Sequence, residues 1–135
     1  MLLFNTDGMS ADACENIRSI ISEHGPLNIK RLEFHDNMSG NDGAKAIADA
    51  IRFLPNLEYF RWSGARSGEE GSIALCRALA NCHAMRHLEF NDNYFGEDCG
   101  DVLAETIEPM DKLEDLILSD LGSVWVRAMI ARSGR

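Results

Sequence analysis

A parallel α/β solenoid is the fold class this sequence predicts, and three observations predict it. Apolar residues recur every twenty-eight positions: Ile29, Leu57, Met85 and Leu113; Leu32, Phe60, Leu88 and Leu116; Phe34, Trp62, Phe90 and Leu118. Each such segment begins with a period of two, as in Leu88 and Phe90 around Glu89, which suits a short strand. After a glycine the period becomes helical, with Ala46, Ile47, Ala50, Ile51 and Leu54 on one stripe. A helix that returns the chain to its next strand makes successive strands parallel, with right-handed crossovers. A fixed period of this length marks units that bury their apolar faces against one another.

The elements follow in order. A first unit fits at an offset of thirty: Leu2 and Phe4 fall in the strand columns, and Ile17, Ile20 and Ile21 in the helix columns. Its two extra residues sit in the connection around Gly25-Pro26. The second unit runs Ile29, Leu32, Phe34, Asn37, Gly40 and Gly43 into its helix. In the third, Leu57, Phe60 and Trp62 precede Ala65, Gly68 and Gly71, and the helix stripe is Ala74, Leu75, Ala78, Leu79 and Cys82. The fourth has Met85, Leu88, Phe90, Asn93 and Gly96, then Val102, Leu103, Thr106, Ile107 and Met110. The last keeps Leu113, Leu116, Leu118 and Leu121, but Val124 stands where the earlier units have glycine.

The column pattern L-x-x-L-x-L-x-x-N reads as a leucine-rich-repeat solenoid of the ribonuclease-inhibitor-like strand-helix kind, with a curved parallel sheet inside and helices outside. The expectation is one domain over residues 1–135, about four units and an incomplete last one, truncated at both ends. Uncapped ends of such a stack invite self-association.

Composition narrows the function. A charge of −9, from 22 acidic and 13 basic residues, disfavours a nucleic-acid or anionic-membrane partner. No apolar run is long enough to span a bilayer, and the opening Met1-Leu2-Leu3-Phe4 lacks a basic lead, so it is not read as a signal peptide. The four cysteines, Cys14, Cys76, Cys82 and Cys99, form no C-x-x-C pair and read as small buried hydrophobes in a reducing compartment. Cys82 and His83 are adjacent, a spacing that does not make a zinc site. Neither a metal nor a cofactor is expected, and the expected location is cytoplasmic.

Residues between the strand leucines form three outward columns: Arg31, Tyr59, His87 and Asp115; Glu33, Arg61, Glu89 and Ile117; His35, Ser63, Asn91 and Ser119. Nothing in them arranges a nucleophile with its base. A solvated face is one reading, and a protein-binding face bearing Tyr59 and Arg61 is the other. Asn37 and Asn93 are read first as structural, their amides pairing peptide groups where a strand ends. At Ala65 and Leu121 the column lacks the amide, so those bends need another source.

Particular stretches add a resemblance. Residues Arg31 to Ala48 and Leu57 to Arg66 resemble the repeat region of plant-type Ran GTPase-activating proteins, and Leu88-Glu-Phe-Asn-Asp-Asn-Tyr-Phe-Gly96 is similar to that family's D-N-x-F-G bend. The resemblance implies a GTPase-activating regulator of Ran in nuclear transport, not an enzyme with its own substrate chemistry. Edge loops would hold the GTPase's own glutamine in line with the attacking water. By motif it implicates Asn93 and Arg66, with Asn37 as the other asparagine and Asp92 beside Asn93. Nuclear-envelope association of a longer protein would follow. The family's longer crescent, acidic stretch and N-terminal targeting domain are not in this sequence. The alternative is a general leucine-rich-repeat interaction scaffold; a ribonuclease-inhibitor-like grip would need a more enclosing horseshoe.

Overall fold

The computed structural model describes residues 2–4, 10–35, 39–96, 98–119 and 121. Five strands alternate with four helices among them: β1 (Leu2–Phe4), α1 (Ala11–His24), β2 (Arg31–Phe34), α2 (Gly40–Ile51), β3 (Tyr59–Ser63), α3 (Glu69–Leu79), β4 (His87–Asn91), α4 (Cys99–Ile107) and β5 (Asp115–Ser119). The strands lie in chain order in one parallel sheet. Leu32 stands opposite Phe60, Phe60 opposite Leu88, and Leu88 opposite Leu116, so the twenty-eight-residue spacing is the register of the sheet. Leu2 stands opposite Leu32, which is the offset of thirty.

Local chemistry sets each element. Ser10 caps α1, its hydroxyl accepting from the Ala13 N–H at 3.3 Å. Alanine-rich α2 buries Ala44, Ala46, Ile47, Ala48, Ala50 and Ile51, and its small side chains let it pack against both α1 and α3. β3, β4 and β5 are each started by one carbonyl of the preceding unit that accepts two N–H groups. Lys30 O takes Glu58 N at 2.8 Å and Tyr59 N at 2.9 Å; Glu58 O takes Arg86 N and His87 N; Arg86 O takes Glu114 N and Asp115 N. These paired bonds lock the register before the ladder proper begins.

The core lies between the sheet and the helices. Phe34, Phe60, Trp62, Phe90 and Phe95 are fully buried there. Phe34 meets Trp62 edge-on at 5.1 Å between centroids, and Phe90 meets Phe95 at 4.9 Å. Such pairs are worth about 1 kcal/mol each beyond the area they bury.

The architecture is a small α/β domain. The expected leucine-rich-repeat solenoid, a slice of a long crescent, is corrected to that description: a few strand-helix units of equal length produce the same sequence period as a long array. Asn37, Val124 and the final segment of residues 122–135 lie outside the described residues, as do the side chains of Leu2 and Phe4.

Candidate functional site

Strands β2 to β5 turn one face toward the helices, and among the described residues no element covers the other. Its side chains are linked to each other. Arg31 lies over the Tyr59 ring at 3.9 Å, and Tyr59 stacks on His87 at 4.1 Å with planes 2° apart. Asp115 follows, 3.5 Å from His87 Nδ1. One column of the face is thus a continuous cation-aromatic stack across β2, β3 and β4.

The neighbouring column holds two carboxylates that are far from solvated, at 5% exposure for Glu33 and 9% for Glu89. Arg31 Nε donates to Glu33 at 2.7 Å, and His35 lies 3.2 Å from its other oxygen. Around Glu89 stand His87 at 2.9 Å, Asn91 Nδ2 at 2.7 Å and Arg61 at 3.2 Å. Burial pushes both carboxyls up, but the hydrogen bonds from Arg31 and His35, and from His87 and Asn91, outweigh it and hold both below the ordinary carboxylate range. Burial, then the charges of Glu33 and Glu89, raises the Tyr59 phenol. The reading of these columns as merely solvated is corrected accordingly.

The rim is formed by the bends after β3 and β4. Asn93, 6% exposed, is the hub. Its Oδ1 accepts from Ala65 N at 3.2 Å, Ser67 N at 3.4 Å and Ser67 Oγ at 3.0 Å. Its Nδ2 donates to Trp62 O at 3.1 Å and Asn91 O at 2.8 Å. Trp62 Nε1 donates to Ser67 Oγ at 3.0 Å. The bend that lacks an amide at Ala65 is therefore served by the asparagine of the following unit. Asp92 and Arg66 are exposed on this rim, and both have left-handed backbones, φ 54° and 57°.

Of the sequence candidates, Tyr59 and Arg61 sit on the sheet face, Arg66 and Asp92 on the rim, and Asn93 is engaged inside the bend. Asn37 lies outside the described residues. Two features went unread in the sequence: Tyr94, 67% exposed beside Arg66, and Asn41, whose Oδ1 accepts from Gly68 N at 2.8 Å and Gly71 N at 3.0 Å at the start of α3. The twenty-eight-residue step from Arg66 to Tyr94 was the available signal for the first.

On the helix side a groove of about 340 Å³ runs between α2 and α3, floored by Ala48, Ala74 and Ala78 and edged by Lys45, Arg52 and Arg77. Lys45 is paired with Glu70, and Arg52 with Asp49 at 3.2 Å. Among the described residues no three His, Cys, Asp or Glu side chains converge to hold a metal ion, and no helix is long and apolar enough to cross a membrane. All four cysteines are buried and none is in a disulfide; burial alone pushes the Cys82 thiol up to about 12, far from a reactive thiolate.

The sequence matches no protein-family model and no curated protein. Solved structures are similar. The tropomodulin C-terminal domain of Caenorhabditis elegans superposes with a TM-score of 0.71 at 18% identity, covering 98% of this chain and 83% of that one. Actin-binding site 2 of leiomodin-1 superposes with a TM-score of 0.73 at 14% identity, covering 97% of this chain and 78% of that one. These likenesses show the fold, that of the tropomodulin and leiomodin domains, and they overturn two expectations: the extended leucine-rich-repeat solenoid, and membership of the Ran GTPase-activating proteins with the activity it implied. The general leucine-rich-repeat scaffold gains no support either. Neither neighbour is described as an enzyme, and the leiomodin-1 domain takes its name from a protein partner.

The residues behind the Ran resemblance have a structural explanation. In the stretch Leu88 to Gly96, Asn93 pairs buried backbone, Phe95 is fully buried, and Gly96 has φ 79° where a Cβ would collide with Glu69. Asn93, Phe95 and Gly96 thus answer the needs of this bend itself.

Proposed function

We propose that this chain is a protein-binding domain and that its partner is actin. One observation carries the reading: superposition over 97% of the chain with actin-binding site 2 of leiomodin-1. The open face supports it. Tyr59 and Arg61 there, and Arg66 on the adjoining rim, supply an aromatic anchor and cations of the sort that dominate protein interfaces, with the Asp92 carboxylate beside them on the rim. Asn93 contributes by holding the bend, its amide being occupied internally. Binding of this kind calls for no cofactor and no catalysis. The same reading puts the domain in the cytoplasm, where its four cysteines, none in a disulfide, would stay reduced.

Two measurements test it: titration of the chain into labelled monomeric actin followed by fluorescence anisotropy, and co-sedimentation with filaments. Saturable binding to at least one form is expected. A sample shown by circular dichroism to be folded, yet binding neither form, would overturn the proposal.

A further inference from the structure

Arg66 and Tyr94 occupy the same position in successive units, one step beyond the Ala65/Asn93 column. The register of β3 and β4 sets Ser63 opposite Asn91, and the Tyr94 N–H donates to Ser67 O at 3.0 Å. The two residues therefore sit on adjoining bends of the rim, joined through this bond one residue beyond Arg66. Both are exposed, Tyr94 at 67%. Among the described residues, neither side chain has a hydrogen bond, ion pair or ring contact.

Arg66 is also held in place at a cost. Its φ of 57° is left-handed, which for a residue with a side chain is worth about 1–2 kcal/mol against the structure. Such a conformation persists where its surroundings over-determine it. Here the N–H groups before and after it, of Ala65 and Ser67, both donate to Asn93 Oδ1, and Ser67 is held in turn by Trp62. The guanidinium thus projects from a backbone already fixed, so a contact made by it needs little further ordering.

The guanidinium itself, not the acidic rim around it, selects the ligand. Asp92, Glu69 and Asp98 lie on the same rim, and the whole chain carries −9, yet among the described residues Arg66 is not drawn into any ion pair. An unpaired, pre-set guanidinium beside a phenol ring is suited to a carboxylate adjoining an apolar side chain, the first taken by Arg66 and the second laid on Tyr94.

We propose that Arg66 and Tyr94 are the anchor of the binding surface and grip a carboxylate-bearing segment of actin; this rests on the actin reading above. The test compares binding of monomeric and filamentous actin by the full chain and by its R66E, R66K, Y94A and R77E variants. Arg77 is exposed on α3, on the far side of the molecule, and serves as the control. R66E and Y94A should each weaken binding about thirtyfold, the effect of a typical interface anchor, with unchanged melting temperatures. R66K should fall between, because lysine keeps the charge and loses the bidentate fork. R77E should bind as the unsubstituted chain does. If the unsubstituted chain binds no actin, the actin reading falls and takes this assignment with it. If it binds and R66E and Y94A bind equally well, the anchor assignment alone is overturned.

Discussion

The bend after β3 and the bend after β4 start alike and then diverge, left-handed at Arg66 in the first and at Gly96 in the second, and only the second has an asparagine. Both enter the left-handed region at the same step, through Gly64 at φ 60° in one and Asp92 at φ 54° in the other. The third-unit bend nevertheless leaves its buried N–H groups to the amide of Asn93, one unit further on, and its helix start to Asn41, one unit earlier. Glu69, at the position corresponding to Asn41, does a thinner version of the same task for the fourth unit, accepting from Asp98 N at 3.3 Å. The lesson is that a unit of sequence is not a unit of hydrogen bonding. Polar satisfaction is distributed across neighbours, which ties them together more tightly than apolar stacking alone would.

That comparison can be broken most forcefully at Asn93. In N93A the N–H groups of Ala65 and Ser67 lose their acceptor, and Trp62 O and Asn91 O lose a donor. Buried polar groups left open cost about 1–3 kcal/mol apiece, less what relaxation and entering water recover, so a loss of about 3 kcal/mol is expected. The midpoint of urea unfolding measures it. A loss under half that size would mean the third-unit bend does not depend on its neighbour. N41A attacks the same bend from the other side. Removing a cap of this type costs about 1 kcal/mol, read in the same titration, and N41S should recover part of it.

A smaller effect has the opposite sign. R66G relieves the left-handed strain two residues after Gly64 in the same bend, and stability should rise by about 0.5 kcal/mol after glycine's own entropy is counted. The midpoint of urea unfolding measures it, and no rise would mean that the left-handed backbone at Arg66 carries no strain.

The mildest probe is pH, acting on the open face rather than on either bend. Glu33 and Glu89 have folded-state values below their unfolded ones. They therefore contribute stability at pH above the unfolded carboxylate value, about 4, and lose it as pH falls through the folded values. The thermal midpoint should stay level from neutral pH toward the mildly acidic range and drop below about pH 4. An E33Q/E89Q double variant should show a shallower drop, while N93A keeps the full slope.

Much of this arrangement was legible in the sequence, and the rest was hidden for physical reasons. Which residues pair across the sheet follows from Leu32, Phe60, Leu88 and Leu116, because strand register and hydrophobic period are one quantity in a parallel array. The inward role of Asn93 was visible too, but not the direction of its help, since an amide's partners depend on which neighbouring backbone comes within 3.5 Å. Glu33 and Glu89 looked like open surface; their burial is produced by the arginines and histidines that lie down over them, a many-body effect that spacing does not encode. Tyr94 was passed over because an aromatic inside a motif reads as packing, and here its neighbour Phe95 packs while Tyr94 stands in water. The same motif suggested a GTPase regulator, although its residues chiefly answer the demands of their own turn.

The debt that one bend owes to the next also gives the chain a direction in time. As a nascent polypeptide emerges from its amino end, β3 and its bend appear well before Asn93 does, and until then the Ala65 and Ser67 amides must rely on water. Each strand laid down late finishes the one before it. A synthesis pause between residues 67 and 93 would hold the third unit half-built and open, whereas a pause after residue 96 would find it closed.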